Sequence, residues 1–228
     1  MRILLVFATS IECAGTYKLL IPNALYKSED SALTFRNLSI DILITGVGMM
    51  YTCFYVTKKL QTMDYDLVIN AGIAGAFDLT TALGSVFLVS KDRFGDLGIE
   101  DTQGNFTDVF EAGLTESMAS PFKDGWLYTS NAHFNLDQYK KCTAITVNKV
   151  TGNETSIQNI FTKYQPGIES MEGAACLFVA NMFDTHCLQL RSISNHVEPR
   201  DKSQWQMPLA LENLSVELMK LLETLSVR

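Results

Sequence analysis

The sequence predicts an α/β fold with helices on both faces of a mixed or mostly parallel central sheet. Two patterns indicate this fold: short continuous apolar runs alternate with longer segments of helical periodicity, and glycines follow two of the apolar runs. At 228 residues the chain matches the size of a single α/β core, so we expect one domain over residues 1–228.

The strands are predicted from the apolar runs. A strand that is covered on both faces is apolar over most of its length, whereas a strand with one solvated face alternates apolar and polar residues. The runs of the first kind are Ile3–Ala8, Ile40–Thr45, Leu67–Ala71, Val86–Ser90, Ala144–Val147 and Leu188–Ile193.

The helices are predicted where apolar residues recur every three to four positions. We expect residues 92–140 to be an insertion of loops and short elements, because this segment is rich in Gly, Asp, Asn and Ser and weakly periodic. The helical segments are Tyr51–Leu60, Glu154–Tyr164, Met171–Phe183 and Leu209–Leu225.

Composition excludes several classes of protein. Hydrophobic residues make up 47% of the chain and charged residues 19%, which is typical of a globular protein. A net charge of −7 and a pI near 5.0 argue against a nucleic-acid partner, whose phosphates require clustered Lys and Arg. The five cysteines are widely spaced without a CxxC pair, so we expect neither disulfides nor zinc, and a reducing cytosol. No apolar stretch is long enough for a membrane span, and no signal-like cleavage region is evident.

Glycines mark the expected binding edge of the sheet. Gly46 and Gly48 follow one apolar run, and Gly72 and Gly75 follow the next, where ligands of open α/β sheets bind. Neither segment has the third glycine of a dinucleotide fingerprint or the lysine of a phosphate loop. Tight turns are the alternative explanation for these glycines.

Three polar residues stand at strand ends or helix starts. Glu12 follows the first strand, Glu172 begins an apolar helix, and Asn195 ends an apolar strand. Each has an ordinary alternative, which is a solvated helix acid for the glutamates and a turn for Asn195. Because the three residues stand at successive strand ends, together they indicate a binding site.

In order and spacing these landmarks resemble those of the nucleoside phosphorylase and nucleosidase superfamily, particularly the methylthioadenosine/S-adenosylhomocysteine nucleosidases and the futalosine hydrolases. The resemblance covers most of the chain and is weakest over residues 92–140. It implies a nucleoside phosphorylase-like, three-layer α/β/α sandwich with a mixed central sheet. The matching landmarks are Glu12 and the segments 46–48, 70–75, 169–172 and 191–195.

The resemblance also implies an activity, hydrolysis of the N-glycosidic bond of a purine nucleoside without metal or organic cofactor. Glu12 would deprotonate the attacking water, Met171 and Glu172 would bind the ribose, and Asn195 would act at the purine. These roles suit the chemistry, since cleavage builds positive charge on the sugar and negative charge on the departing base.

The resemblance also covers the residues that would contact the purine base. Methylthioadenosine nucleosidases carry Asp where Asn195 stands, and an amide can donate to a 6-oxo group and accept from a protonated ring nitrogen, which suits hypoxanthine. Their base-stacking Phe is replaced by Lys149, with Val150 following. Gly75 and Val150 are accordingly expected to line the substrate site. With Trp205, the loop after Asn195 looks like that of futalosine hydrolases, which release hypoxanthine and dehypoxanthine futalosine in menaquinone biosynthesis.

Three alternatives remain open at this point. A methylthioadenosine/S-adenosylhomocysteine or aminofutalosine nucleosidase would share the site, and a phosphorylase would share the fold. The loop Ala8–Glu12 lacks the arginine that such phosphorylases use for phosphate. A non-catalytic nucleoside-binding module is the alternative from another class, because fold does not fix function.

Arg200 is the candidate for binding a distal carboxylate of the substrate, because a guanidinium pairs with a carboxylate through two hydrogen bonds. A local salt bridge to Asp201 or Glu198 is the competing explanation. We also expect a homo-oligomer, although the sequence does not give its size.

Overall fold

A computed structural model describes residues 1–26, 32–130, 134, 136–199 and 201–227. The strands are β1 (Arg2–Phe7), β2 (Ala24–Tyr26), β3 (Leu33–Phe35), β4 (Leu38–Ile44), β5 (Leu67–Ala76), β6 (Val86–Asp92), β7 (Gly98–Glu100), β8 (Phe106–Asp108), β9 (Leu127–Tyr128), β10 (Lys141–Thr146), β11 (Ile168–Ser170) and β12 (His186–His196). The α-helices are α1 (Ser10–Leu20), α2 (Met49–Thr62), α3 (Glu154–Tyr164), α4 (Gly173–Met182) and α5 (Met207–Ser226).

A mixed sheet forms the centre of the molecule. Its strand order is β11-β10-β6-β12-β5-β1-β4-β3-β2, with β9 beside β6 and with β11 also pairing β5. Strands β4, β1, β5 and β12 are parallel, and β6 runs antiparallel to β12. The carboxyl ends of β1, β4, β5 and β12 therefore meet at one edge of the sheet, as the sequence predicts.

Side chains of β1 show how the two helical layers attach. Ile3, Leu5 and Phe7 point into a core shared with α5, whereas Leu4 and Val6 point into a core shared with α2 and α4. All five side chains are fully buried. The alternation of a strand thus carries apolar side chains to both faces, which is why the run contains no polar residue. The prediction of a three-layer sandwich with a mixed sheet is confirmed.

Two predicted boundaries are wrong near the site. Gly72 and Gly75 lie inside β5 and not after it, because β12 pairs with β5 as far as Ala76 and the ladder continues through the glycines. The helix predicted from Met171 begins at Gly173, since Glu172 has a non-helical φ of −130° and stands at the N-cap of α4. Within the described residues, none of the helices is both long and apolar enough to span a membrane.

Candidate active site

A cleft of about 330 Å³ opens at the carboxyl edge of the sheet. Its walls include residues at the ends of β1, β5, β11 and β12, the start of α1 and the N-terminal part of α5. The cleft brings together Glu12, Gly75, Val150, Met171, Glu172 and Asn195, which the sequence predicts as site residues. Arg200 lies outside the described residues, so its role stays a prediction.

Glu12 is held at the start of α1 by a capping box. Thr9 stands at the N-cap, and its hydroxyl accepts from the Glu12 backbone N–H (3.2 Å). In return Oε2 of Glu12 accepts from the N–H and the hydroxyl of Thr9, both at 3.0 Å. Oε1 accepts from the Ile73 N–H at 3.2 Å. These bonds fix a carboxylate that is only 7% exposed, so the solvated helix acid is the wrong explanation for Glu12.

Glu172 is a second buried carboxylate, 6% exposed, at the N-cap of α4. Its Oε1 accepts from the N–H of Gly48 at 2.9 Å. Gly48 has a φ of 101°, a conformation that glycine adopts without strain, so the glycine allows this N–H to face the carboxylate. Burial raises the pKa of Glu172, whereas the Arg191 guanidinium and the Gly48 N–H lower it.

Arg191 is a charged residue beneath the site to which the sequence reasoning gave no role. It lies inside β12 with 1% exposure, and a Cβ on Gly72 would collide with its guanidinium and with Glu12 Oε1. Gly72 therefore leaves the space that brings Arg191 close to Glu12. An arginine within a segment that is predicted to be a buried strand is a signal that the sequence contains, since buried arginines are rare unless paired.

A buried hydrogen-bond network holds Arg191. Its guanidinium donates to the Asn70 side chain and, through Nε, to Gln189 Oε1 at 3.1 Å. Gln189 Nε2 donates in turn to Asp92 Oδ2 at 2.9 Å, and the Thr146 hydroxyl donates to the same oxygen at 2.9 Å. Because each partner is satisfied, the network fixes the position of the arginine.

Asp92 gives this network a pH-dependent stability. Burial raises the pKa of Asp92 from 3.8 to about 6, although Gln189 and Thr146 lower it. Between these two values the folded protein binds more protons than the unfolded chain, so rising pH lowers the free energy of unfolding. The side chain of Asp92→Asn cannot ionise. The free energy of unfolding of this variant, relative to that of the unmodified protein, should therefore rise by up to about 3 kcal/mol as the pH increases from about 4 to about 6. Urea unfolding at several pH values measures this difference, and a pH-independent difference would contradict the prediction.

Asn195 lies near the end of β12 beside Gly75 of β5. Its Oδ1 accepts from the Ser194 hydroxyl at 2.8 Å, and its Nδ2 donates to the His196 carbonyl at 2.8 Å. One amide hydrogen and one oxygen lone pair remain for a ligand. A Cβ on Gly75 would lie 3.1 Å from Asn195 Nδ2, so the glycine makes room for the amide.

Apolar side chains form much of the remaining wall. Met171 is half-buried beside Glu172, and Val150 is 37% exposed at the rim. Trp205 is half-buried and lines the cleft with Met207 of α5, whereas the sequence predicts only that Trp205 lies near a loop. The part of the chain that the structure describes contains no group of three or more His, Cys, Asp or Glu side chains arranged for a metal ion.

The cleft combines the carboxylates of Glu12 and Glu172 with the amide of Asn195. Asn195 also lines a small side recess whose lining does not include the two glutamates. A model of the phosphorylase superfamily matches residues 34–224. The chain belongs to the phosphorylase superfamily. The resemblance inferred from the sequence motifs is thereby confirmed.

Individual relatives narrow the comparison to nucleosidases. Futalosine hydrolase of Streptomyces coelicolor is 28% identical over 190 residues, which cover 79% of this chain and 77% of the relative. 5'-Methylthioadenosine/S-adenosylhomocysteine nucleosidase of Arabidopsis thaliana is 25% identical over 219 residues, which cover 96% and 76%. Both relatives are enzymes that hydrolyse N-glycosidic bonds, in agreement with the predicted class of enzyme.

A solved structure confirms the fold. A mutant of the 5'-methylthioadenosine/S-adenosylhomocysteine nucleosidase from Helicobacter pylori, with 5'-methylthioadenosine in its active site, superposes with a TM-score of 0.77. The match is 14% identical in sequence and covers 97% of this chain and 98% of the other.

Proposed function

We propose that this chain is a futalosine hydrolase, which uses water to release hypoxanthine and dehypoxanthine futalosine in menaquinone biosynthesis. The observation that carries the proposal is the amide of Asn195 in the same cleft as the buried carboxylates of Glu12 and Glu172. An amide can donate to the 6-oxo group of hypoxanthine and accept from a protonated ring nitrogen.

The two carboxylates suit separate roles in hydrolysis. Glu12 would accept the proton of the attacking water, because its carboxylate is held toward the cleft by fixed backbone and hydroxyl donors. Glu172 would accept from the ribose hydroxyls and favour the positive charge that develops on the sugar. The described residues that line the cleft include no Lys or Arg, which favours water over phosphate as the nucleophile.

The test is to incubate the protein with futalosine, aminofutalosine or methylthioadenosine, with and without phosphate, and to quantify released hypoxanthine and adenine by chromatography. We expect phosphate-independent release of hypoxanthine, little release of adenine from aminofutalosine, and negligible cleavage of methylthioadenosine. Faster adenine release would favour a methylthioadenosine/S-adenosylhomocysteine or aminofutalosine nucleosidase. Binding without release of any base would favour a non-catalytic nucleoside-binding module.

Glu172→Gln should impair both substrate binding and turnover. The amide weakens a charge-assisted hydrogen bond to the ribose, so kcat/KM is expected to fall roughly 10- to 100-fold. Steady-state kinetics with ribo and 2'-deoxyribo substrates provide the measurement. The substitution should lower kcat/KM less for the deoxyribo substrate than for the ribo substrate. An equal reduction for both would contradict the assigned contact.

A homo-oligomer in the cytoplasm is part of the proposal. Ile11 and Val47 line the cleft and are 66% and 50% exposed, while Met50 and Phe54 of α2 are 79% and 61% exposed. Exposed apolar side chains in such a group favour coverage by a second protein surface. Sedimentation equilibrium would test the oligomeric state.

A further inference from the structure

Glu169 is a buried carboxylate that lines the cleft together with Asn195 and has no role in the mechanism above. It is 5% exposed, although it lines the cleft and a small recess that opens from it. Glu169 of β11 pairs with Gly75 of β5, and Gly75 pairs on its other side with Asn195 of β12. The carboxylate and the amide therefore flank the same glycine, two strand spacings apart, or about 10 Å between backbones.

The hydrogen bonds of Glu169 leave acceptor capacity unused. Oε1 accepts from the Thr151 N–H at 2.8 Å, and Oε2 accepts from the Thr151 hydroxyl. Each carboxylate oxygen can accept a second hydrogen bond, so up to two positions remain. Among the described residues, no Lys or Arg forms an ion pair with Glu169.

The surroundings favour an N–H donor as the missing partner. Burial raises the pKa of Glu169, whereas the Thr151 bonds lower it. Glu198 and Asp201 also line the recess, and its described lining contains no Lys or Arg. Such a recess disfavours an anionic ligand and suits a group that presents N–H bonds, since a buried carboxylate needs donors.

We infer that Glu169 determines the base specificity of the site by accepting a hydrogen bond from the ring N–H beside the 6-oxo group of the purine. This inference rests on the proposed function and adds a second recognition residue to it. In a 6-oxopurine the oxo group lies between this N–H and the imidazole ring, so Asn195 serves the oxo group and the imidazole side while Glu169 serves the other side. A 6-aminopurine has a bare acceptor nitrogen at this position, and it would face the carboxylate with lone pair against lone pair.

Glu169→Gln tests the inference and preserves the attachment to Thr151. The glutamine oxygen can accept from the Thr151 N–H, while its amide can donate to the Thr151 hydroxyl and present its second N–H to the cleft. The ratio of kcat/KM for futalosine to that for aminofutalosine is expected to fall roughly 10- to 100-fold, because the acceptor has become a donor. Thr151→Val is the control, since it removes one attachment bond and keeps the carboxylate. Its ratio should stay within about threefold of the unmodified value, well inside the expected change.

A second measurement uses the unmodified protein and does not depend on how the variant folds. Futalosine methylated on the ring nitrogen beside the oxo group lacks the N–H, and its kcat/KM should be at least about 10-fold lower than that of futalosine. An unchanged ratio in a folded Glu169→Gln variant would overturn the inference, as would equal cleavage of the methylated substrate. Both results leave hypoxanthine release by the unmodified protein intact. Preferential release of adenine by the unmodified protein would instead overturn the proposed function together with the inference.

Discussion

Glu12→Gln is expected to abolish turnover, with kcat lower by roughly 100- to 10,000-fold and substrate affinity within a few-fold of the unmodified value. The amide occupies the same space but cannot take the proton of the attacking water. Stopped assays of base release give kcat, and equilibrium binding of the substrate to the inactive variant gives the affinity.

The capping box preserves the attachment of this side chain to Thr9. Gln replaces Glu naturally at this position of a capping box, because its side-chain oxygen can accept the same Thr9 N–H. The amide nitrogen would then stand opposite the Ile73 N–H that Glu12 Oε1 accepts in the unmodified protein, so we expect a lower thermal midpoint in a variant that is still folded at the assay temperature. Near-normal turnover in a correctly folded variant would rule out Glu12 as the base.

Asn195→Asp is expected to move base preference from 6-oxo toward 6-amino substrates by roughly 10- to 100-fold in the ratio of kcat/KM values. In the unmodified protein, the N–H donors of a 6-amino group would face the N–H donor of the Asn195 amide. A protonated aspartic acid can donate to a ring nitrogen and accept from the 6-amino group. Absolute rates for adenine release should stay low, because the described lining of the cleft contains Val150 and no phenylalanine to stack on the base.

Matched futalosine and aminofutalosine provide the readout for this variant. Asn195→Ala is the control, since it removes donor and acceptor together and should lower both rates without reversing the preference. The aspartate also faces the His196 carbonyl, to which the Asn195 amide donates at 2.8 Å, and this repulsion favours a protonated or reoriented carboxyl group. An unchanged ratio would show that Asn195 does not select the base.

The architecture was largely predictable because its signals are local. A strand covered on both faces is mostly apolar, so the sequence of β1 is sufficient to predict it, and helical periodicity gave the bounds of α3 without error. The short strands were not predictable in the same way. Ile168–Ser170 forms β11 because β10 and β5 supply hydrogen-bond partners from distant parts of the chain.

The sequence by itself determined the superfamily and identified Glu12, Glu172 and Asn195 together as candidate site residues, because they stand next to recognisable strands and glycines. Only the tertiary structure decided that both glutamates are buried. Whether a carboxylate is solvated depends on donors far along the chain, such as Gly48 for Glu172 and Ile73 for Glu12. Likewise, Glu169 comes beside Asn195 only through their shared neighbour Gly75, because strand pairing joins residues that sequence distance separates.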